Sequence, residues 1–234
     1  MCVLIVGVRW LEDLPLVVAA SRDEAYARPA TTPAAAVLEG MRVLRPRDEQ
    51  AGGTWIGTNA AGLVVVITNR RDGDFDPRRR SRGLLCSEVL AQPDGAAAAR
   101  RLEQGLEREL YNSFNLLIAD PSAVRLATWN GDLQTVSLGA GAHVLSNEHV
   151  LGELVLSELQ SLPVAHGPDV RELLLGLLAS HVPRDARGFR ICKHGGTHGT
   201  VSASLIYRRR DGSTLMEHAP GPACTTPFAL HVLR

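Results

Sequence analysis

The sequence predicts an α+β protein, a four-layer αββα sandwich of two stacked, mainly antiparallel sheets. Three observations predict it. Short apolar runs of β-forming residues recur from Val3 to Val232, separated by turns such as Asn59-Ala60-Ala61-Gly62, Asn130-Gly131-Asp132 and Arg210-Asp211-Gly212. Connections of that kind make hairpins, and hairpins make antiparallel sheets. Helical spacing of apolar residues is confined to two places, each a pair of helices set between blocks of strands. Helix pairs alternating with strand blocks suit a layered arrangement with helices outside two sheets.

Each element has its own signal. Val3–Val8 and Leu16–Ala20 are apolar runs joined by a short turn around Trp10 to Pro15. Residues 25–50 are rich in Ala, Pro, Thr and Arg without a clear period, so an irregular excursion is expected there, closing in a short strand at Arg42–Leu44. Gly52-Gly53-Thr54-Trp55-Ile56-Gly57 and Leu63–Thr68 flank an Asn/Gly turn. Leu63–Ile67 is unbroken apolar, the mark of a strand buried on both faces. Leu84–Gln92 and Ala96–Glu107 read as helices separated by Pro93-Asp94. Phe114–Ala119, Ala123–Trp129, Leu133–Leu138 and Ala142–Ser146 read as strands. Val150–Leu162 and Pro168–Ser180 read as the second helix pair. Val201–Tyr207 and Ser213–Glu217 form a closing hairpin, with a last strand near Phe228–Val232. The whole, 1–234, is expected to be a single domain.

Chemistry concentrates at the start. A hairpin returns the end of its second strand beside the start of its first. Ser21-Arg22-Asp23-Glu24 would thereby come back beside Cys2, bringing a thiol, a cation and a carboxylate together. A nearby guanidinium lowers a thiol pKa from its usual value of about 8.5. Removal of Met1 would place an α-amine on Cys2, with a pKa of about 7.7–8.0 that suits a general base. Nucleophile and base would then share one residue. The alternative is that Cys2 is a small buried apolar residue on an interior strand.

Other polar positions divide the same way. Asn69 and Asn147 each close an apolar strand, either as amide donors to an oxyanion or as ordinary turn residues. Arg70 to Gly83 holds six Arg and three Asp around Pro77. It reads as a charged loop, solvated or forming a rim for an anionic ligand. Cys192, His194 and His198 have the residue types of a metal site, but no fourth ligand is evident, so no metal is expected.

Zero net formal charge argues against a nucleic-acid protein. Four widely spaced Cys without a secretory leader imply free thiols in a reducing, cytoplasmic setting. No apolar run reaches membrane-spanning length.

Taken together in order, Met1-Cys2, Ala20-Ser21-Arg22-Asp23-Glu24, Gly53-Thr54-Trp55-Ile56-Gly57, Val66-Ile67-Thr68-Asn69-Arg70, Ser81-Arg82-Gly83, Leu145-Ser146-Asn147 and Gly199-Thr200 resemble the NRDE family, also called the transport and Golgi organisation protein 2 family. Ser21 stands where the family motif has Asn, and Val201 where its closing strand has Arg. The family is similar to the Cys-type N-terminal-nucleophile (Ntn) hydrolases that cleave penicillin V and conjugated bile acids, whose fold is the αββα sandwich. The resemblance implies that Cys2 is the nucleophile, with Arg22 and Asp23 beside it and Asn69 and Asn147 near the oxyanion. It implies hydrolysis of a linear, non-peptide amide without a cofactor. It also implies an alternative, a non-catalytic carrier of haem or an acyl-CoA-type lipid. Either way the partner is a small molecule.

Overall fold

The structure is a computed structural model that describes residues 3–70, 75–146, 167–183 and 190–233. The chain divides into two compact units. One comprises residues 1–27 and 139–230, the other 28–138 and 231–234.

The first unit is built on a sheet that begins with β1 (Val3–Val8) and β2 (Leu16–Ala25). Their antiparallel register runs from Leu4 opposite Ala20 to Val8 opposite Leu16. β2 is flanked on its other edge by β11 (His198–Arg208), and β1 by β10 (Gly141–Ser146). β12 (Thr214–Ala219) and β13 (Ala229–Val232) complete the order β10-β1-β2-β11-β12-β13. All six residues of β1 are buried, so both of its faces are covered. Because side chains alternate along a strand, Val3, Ile5, Val17, Ala19, Ala203, Leu205 and Tyr207 share one face. There they pack with Val170, Leu174, Leu177 and Leu178 of the helix Gly167–Leu178, named α3 below. The helix expected at Val150–Leu162 lies outside the described residues.

The second unit holds a seven-stranded sheet in chain order. Its strands are β3 (Ala34–Leu38), β4 (Met41–Arg45), β5 (Ile56–Asn59), β6 (Val64–Asn69), β7 (Phe114–Ala119), β8 (Val124–Trp129) and β9 (Leu133–Ser137). Every neighbouring pair is antiparallel. Helices α1 (Arg82–Leu90) and α2 (Gly95–Arg108) interrupt the meander after β6. They bury Leu85, Cys86, Val89, Leu90, Ala98 and Leu102 against Val65, Ile67, Leu116 and Ile118. Asp94 ends the gap between the helices by capping α2, its side chain accepting from Ala97 N at 2.7 Å.

One expectation fails. Residues 25–50 contain a strand, β3, that the sequence hides. Its Ala-Ala-Ala-Val-Leu composition has low β-propensity, and as an edge strand it is largely exposed, so no alternation is imposed on it. The turn forms it. Glu39 and Gly40 both adopt positive φ (48° and 84°), the two-residue hairpin geometry that matches strand twist.

The glycines of the Gly53-Thr54-Trp55-Ile56-Gly57 motif have a packing reason. A Cβ at Gly53 would stand 2.1 Å from the Gly83 carbonyl carbon, where Thr54 N donates to Gly83 O at 3.0 Å. Asn59 closes the next turn with its amide fully used. Its nitrogen donates to Leu90 O and Gln92 O, and its oxygen accepts from Ala61 N and Leu63 N.

Gly53→Ala must therefore displace backbone and should cost about 3 kcal/mol, the upper end for overpacking. Gly176→Ala, in α3 with nothing within 4 Å of the new methyl, should stabilise by about 0.5–1 kcal/mol. Urea unfolding of both variants checks the pair, and equal midpoints would contradict the packing argument.

Candidate functional site

β2 changes character along its length. Leu16 to Ala20 are apolar and buried. Ser21-Arg22-Asp23-Glu24 extend the same strand and remain paired with β11. Ser21 is 3 % exposed, and its hydroxyl accepts from Val3 N at 3.1 Å. A serine in place of the family's asparagine thus supplies an acceptor to the first described residue of β1. Cys2 itself, and Asn147, lie outside the described residues.

Arg22 and Asp23 are both held by the sheet, but on opposite faces, because β2 stays extended through Ala25. The expected meeting of these two side chains with Cys2 involves a residue outside the described ones. Arg22 is buried across from Ser202. Asp23 shares the face of Val17 and Ala19 and has a constructed environment. Its Oδ2 accepts from Lys193 Nζ at 2.8 Å, and its Oδ1 from Thr200 Oγ1 at 2.8 Å. Thr200 Oγ1 in turn accepts from Lys193 N at 3.0 Å. The carboxylate side chain is only 5 % exposed, and the lysine side chain 25 %. A carboxylate withdrawn from water this far requires a cation and a donor, and β11 with the segment before it supplies both.

Lys193 escaped the sequence reading because it is 170 residues from Asp23 and no short motif joins them. Thr200 was visible as the closing Gly199-Thr200, without its role. Next to it, the pairing of β2 with β11 shifts register between Thr200 and Ser202. Val201, the position where the family has Arg, is the extra residue of that irregularity.

Asn69 ends β6 in the second unit, exposed and opposite Phe114. The described arginines of the charged segment after it are engaged. Arg70 donates to Asn115, Arg79 to Tyr111 O, and Arg82 to Ser113 O. Arg78 pairs with Asp76, and Arg80 with Glu88. These guanidiniums are committed to the protein, which favours the solvated-loop reading over an anion-binding rim. Cys86 is fully buried on α1, and burial pushes its thiol far above the ordinary range, with Arg45 opposing only partly. It is not a reactive cysteine.

The metal-type residues regroup. His198 leaves the cluster, its ring nitrogen meeting Thr197 Oγ1. Cys192 and His194 are joined instead by His181 and Cys224, with all four ligand atoms within 4.8 Å of one another. His181 stands eleven residues before Cys192 and Cys224 thirty-two after it, so no short spacing motif groups the four.

The Transport and Golgi organisation 2 family model matches residues 1–163. The Bos taurus Transport and Golgi organization protein 2 homolog is 32% identical over 142 residues, covering 56% of this chain and 50% of the bovine protein. The Mus musculus homolog is 31% identical over 147 residues, with the same coverage. The chain spans about half the length of these curated relatives. Among solved structures, a Caenorhabditis elegans N-acylethanolamine-hydrolyzing acid amidase ortholog superposes with a TM-score of 0.59 at 13% identity, covering 100% of both chains. Penicillin V acylase from Agrobacterium tumefaciens gives 0.53 at 13% identity, covering 100% of this chain and 86% of the acylase. The fold class expected from the sequence, the αββα arrangement of the Ntn hydrolases, is the fold of these proteins.

The Asp23–Lys193 pair is open to a double-mutant cycle. Asp23→Asn and Lys193→Met should show a coupling of roughly 1–2 kcal/mol in urea denaturation, reduced from the fully buried range because the ammonium is partly solvated. Additive effects would mean that the pair is incidental.

Proposed function

The chain belongs to the Transport and Golgi organisation 2 family, and from that premise we propose that it is an Ntn-type amidohydrolase with Cys2 as nucleophile, acting on a linear, non-peptide amide of a small molecule in the cytoplasm. The observation that supports the reading is the buried Asp23 carboxylate with its Lys193 and Thr200 partners, on the strand that pairs with β1. Covalent connectivity puts Cys2 one residue before Val3, whose amide is bonded to Ser21. An organised acid at that strand end goes beyond what holding a sheet together needs.

In this reading the Cys2 thiolate attacks the substrate carbonyl, and the α-amine of Cys2 takes the thiol proton and returns it to the leaving amine. Water then hydrolyses the thioester. Asp23 and its partners set the field around the amine, Arg22 favours the thiolate, and Asn147 donates to the oxyanion. The neighbouring fold is shared by amidases whose names describe hydrolysis of acylethanolamines and penicillin V, which supports the reaction class without fixing this chain's substrate.

The test has two parts. Intact mass of the purified chain should lack Met1, since the mechanism requires the α-amine on Cys2. Turnover of an acyl-amide panel should then fall at least 10²-fold in Cys2→Ser, and about 10²–10³-fold in Asn147→Ala, with Asn69→Ala run alongside. A chain that keeps Met1 would overturn the amine-as-base mechanism, and one that hydrolyses no amide yet loses haem or acyl-CoA binding in Cys2→Ser would replace the hydrolase with the carrier.

A further inference from the structure

We propose that His181, Cys192, His194 and Cys224 form a structural zinc site of the Cys2His2 type. The site is independent of the hydrolase reading and lies wholly in the first unit.

The argument begins with distances. Cys192 Sγ is 3.4 Å from Cys224 Sγ and 3.9 Å from His194 Nε2, and His194 Nε2 is 3.2 Å from Cys224 Sγ. A tetrahedral Zn²⁺ with bonds of about 2.3 Å to sulfur and about 2.05 Å to nitrogen sets its ligand atoms apart by ~3.8 Å (S to S), ~3.6 Å (S to N) and ~3.3 Å (N to N). The two sulfur–nitrogen separations fall either side of the tetrahedral value, and the sulfur–sulfur separation is about 0.4 Å shorter than it, a shift that small side-chain rotations at Cys192 and Cys224 would take up on binding. The fourth ligand atom, from His181, lies within 4.8 Å of the other three, and the His181 and His194 rings stack 5.1 Å apart at 29°.

Chemistry selects the ion. Two thiolates and two imidazoles form a borderline-soft tetrahedral set that suits zinc. Four protein ligands leave no open position, so the site is structural. On binding, Zn²⁺ sheds its waters and both thiols release their protons to solvent.

The backbone is arranged to hold the set. Cys192 N donates to Ser180 O at 3.0 Å, fixing Cys192 beside the end of α3, where His181 follows. Arg190 Nε donates to His181 O at 2.7 Å. Cys224 sits in a turn closed by Thr225 N and Thr226 N on Pro222 O. A single ion would clamp three segments: the exit of α3, the approach to β11 and the loop between β12 and β13. Lys193 lies between two of the ligands, so the clamp also fixes the ammonium on Asp23.

The test uses the full chain purified without a polyhistidine tag under reducing conditions. Elemental analysis should find one zinc per chain, lost in His181→Ala and Cys224→Ser and retained in His198→Ala. His181 and His194 are exposed, so their replacement leaves the core intact. Cobalt substitution should give thiolate charge-transfer bands and the intense visible bands of a tetrahedral ion, absent in Cys224→Ser. Stripping with a strong chelator should lower the melting temperature, and added zinc should restore it. Reduced protein that takes up neither zinc nor cobalt would overturn the site. So would zinc that persists in both ligand variants, or a Cys192–Cys224 disulfide in protein isolated under reducing conditions.

Discussion

The pairing of β2 with its two neighbours is the constraint on which the candidate site depends. β2 is ten residues long, and its first half is anchored by burial on both faces. With the apolar half locked in register against β1 and β11, the polar half has no freedom to turn away. A slip of one residue would put Val17 and Ala19 on the wrong face and expel Asp23 from Lys193 and Thr200. The core thus specifies the position of a carboxylate that contributes nothing apolar.

Lys193 links the two chemical features of the first unit. Its ammonium meets Asp23, and its chain neighbours Cys192 and His194 carry ligand atoms turned towards Cys224. This segment has few side chains in the core apart from Ile191 and Cys192, so its placement depends on polar contacts. A metal clamp would offset that deficit, as in small elements that cannot bury enough apolar area on their own.

The two units solve the sheet problem differently. The seven-stranded sheet pairs consecutive strands throughout, and apart from the helical excursion between β6 and β7 several of its connections are local turns: Glu39-Gly40, Asn59 to Gly62 and Asn130 to Asp132. The six-stranded sheet places β2 next to β11 and β1 next to β10, pairs separated by well over a hundred residues. Polar side chains that meet on such pairings have no local signature.

Alternation and turn chemistry made the strands legible because each depends on a few adjacent residues. Phe114–Ala119 was readable to the residue, and the capped start of α2 was marked by Pro93-Asp94. β3 was not legible, since its strand state comes from the Glu39-Gly40 turn and from pairing with β4 rather than from Ala34–Leu38 themselves. The sequence by itself determined the α+β class, the family motifs and the candidacy of Arg22 and Asp23, all of which rest on residue type and short spacing. Only the tertiary structure decided that Arg22 and Asp23 take opposite faces, that Asp23 is met by Lys193 and Thr200, and that Cys192 and His194 gather with His181 and Cys224 instead of His198. The physical reason is that side-chain hydrogen bonds and ligand geometry act over a few ångströms in space, and β11 and the β12–β13 loop bring those atoms together across chain separations that no local pattern encodes.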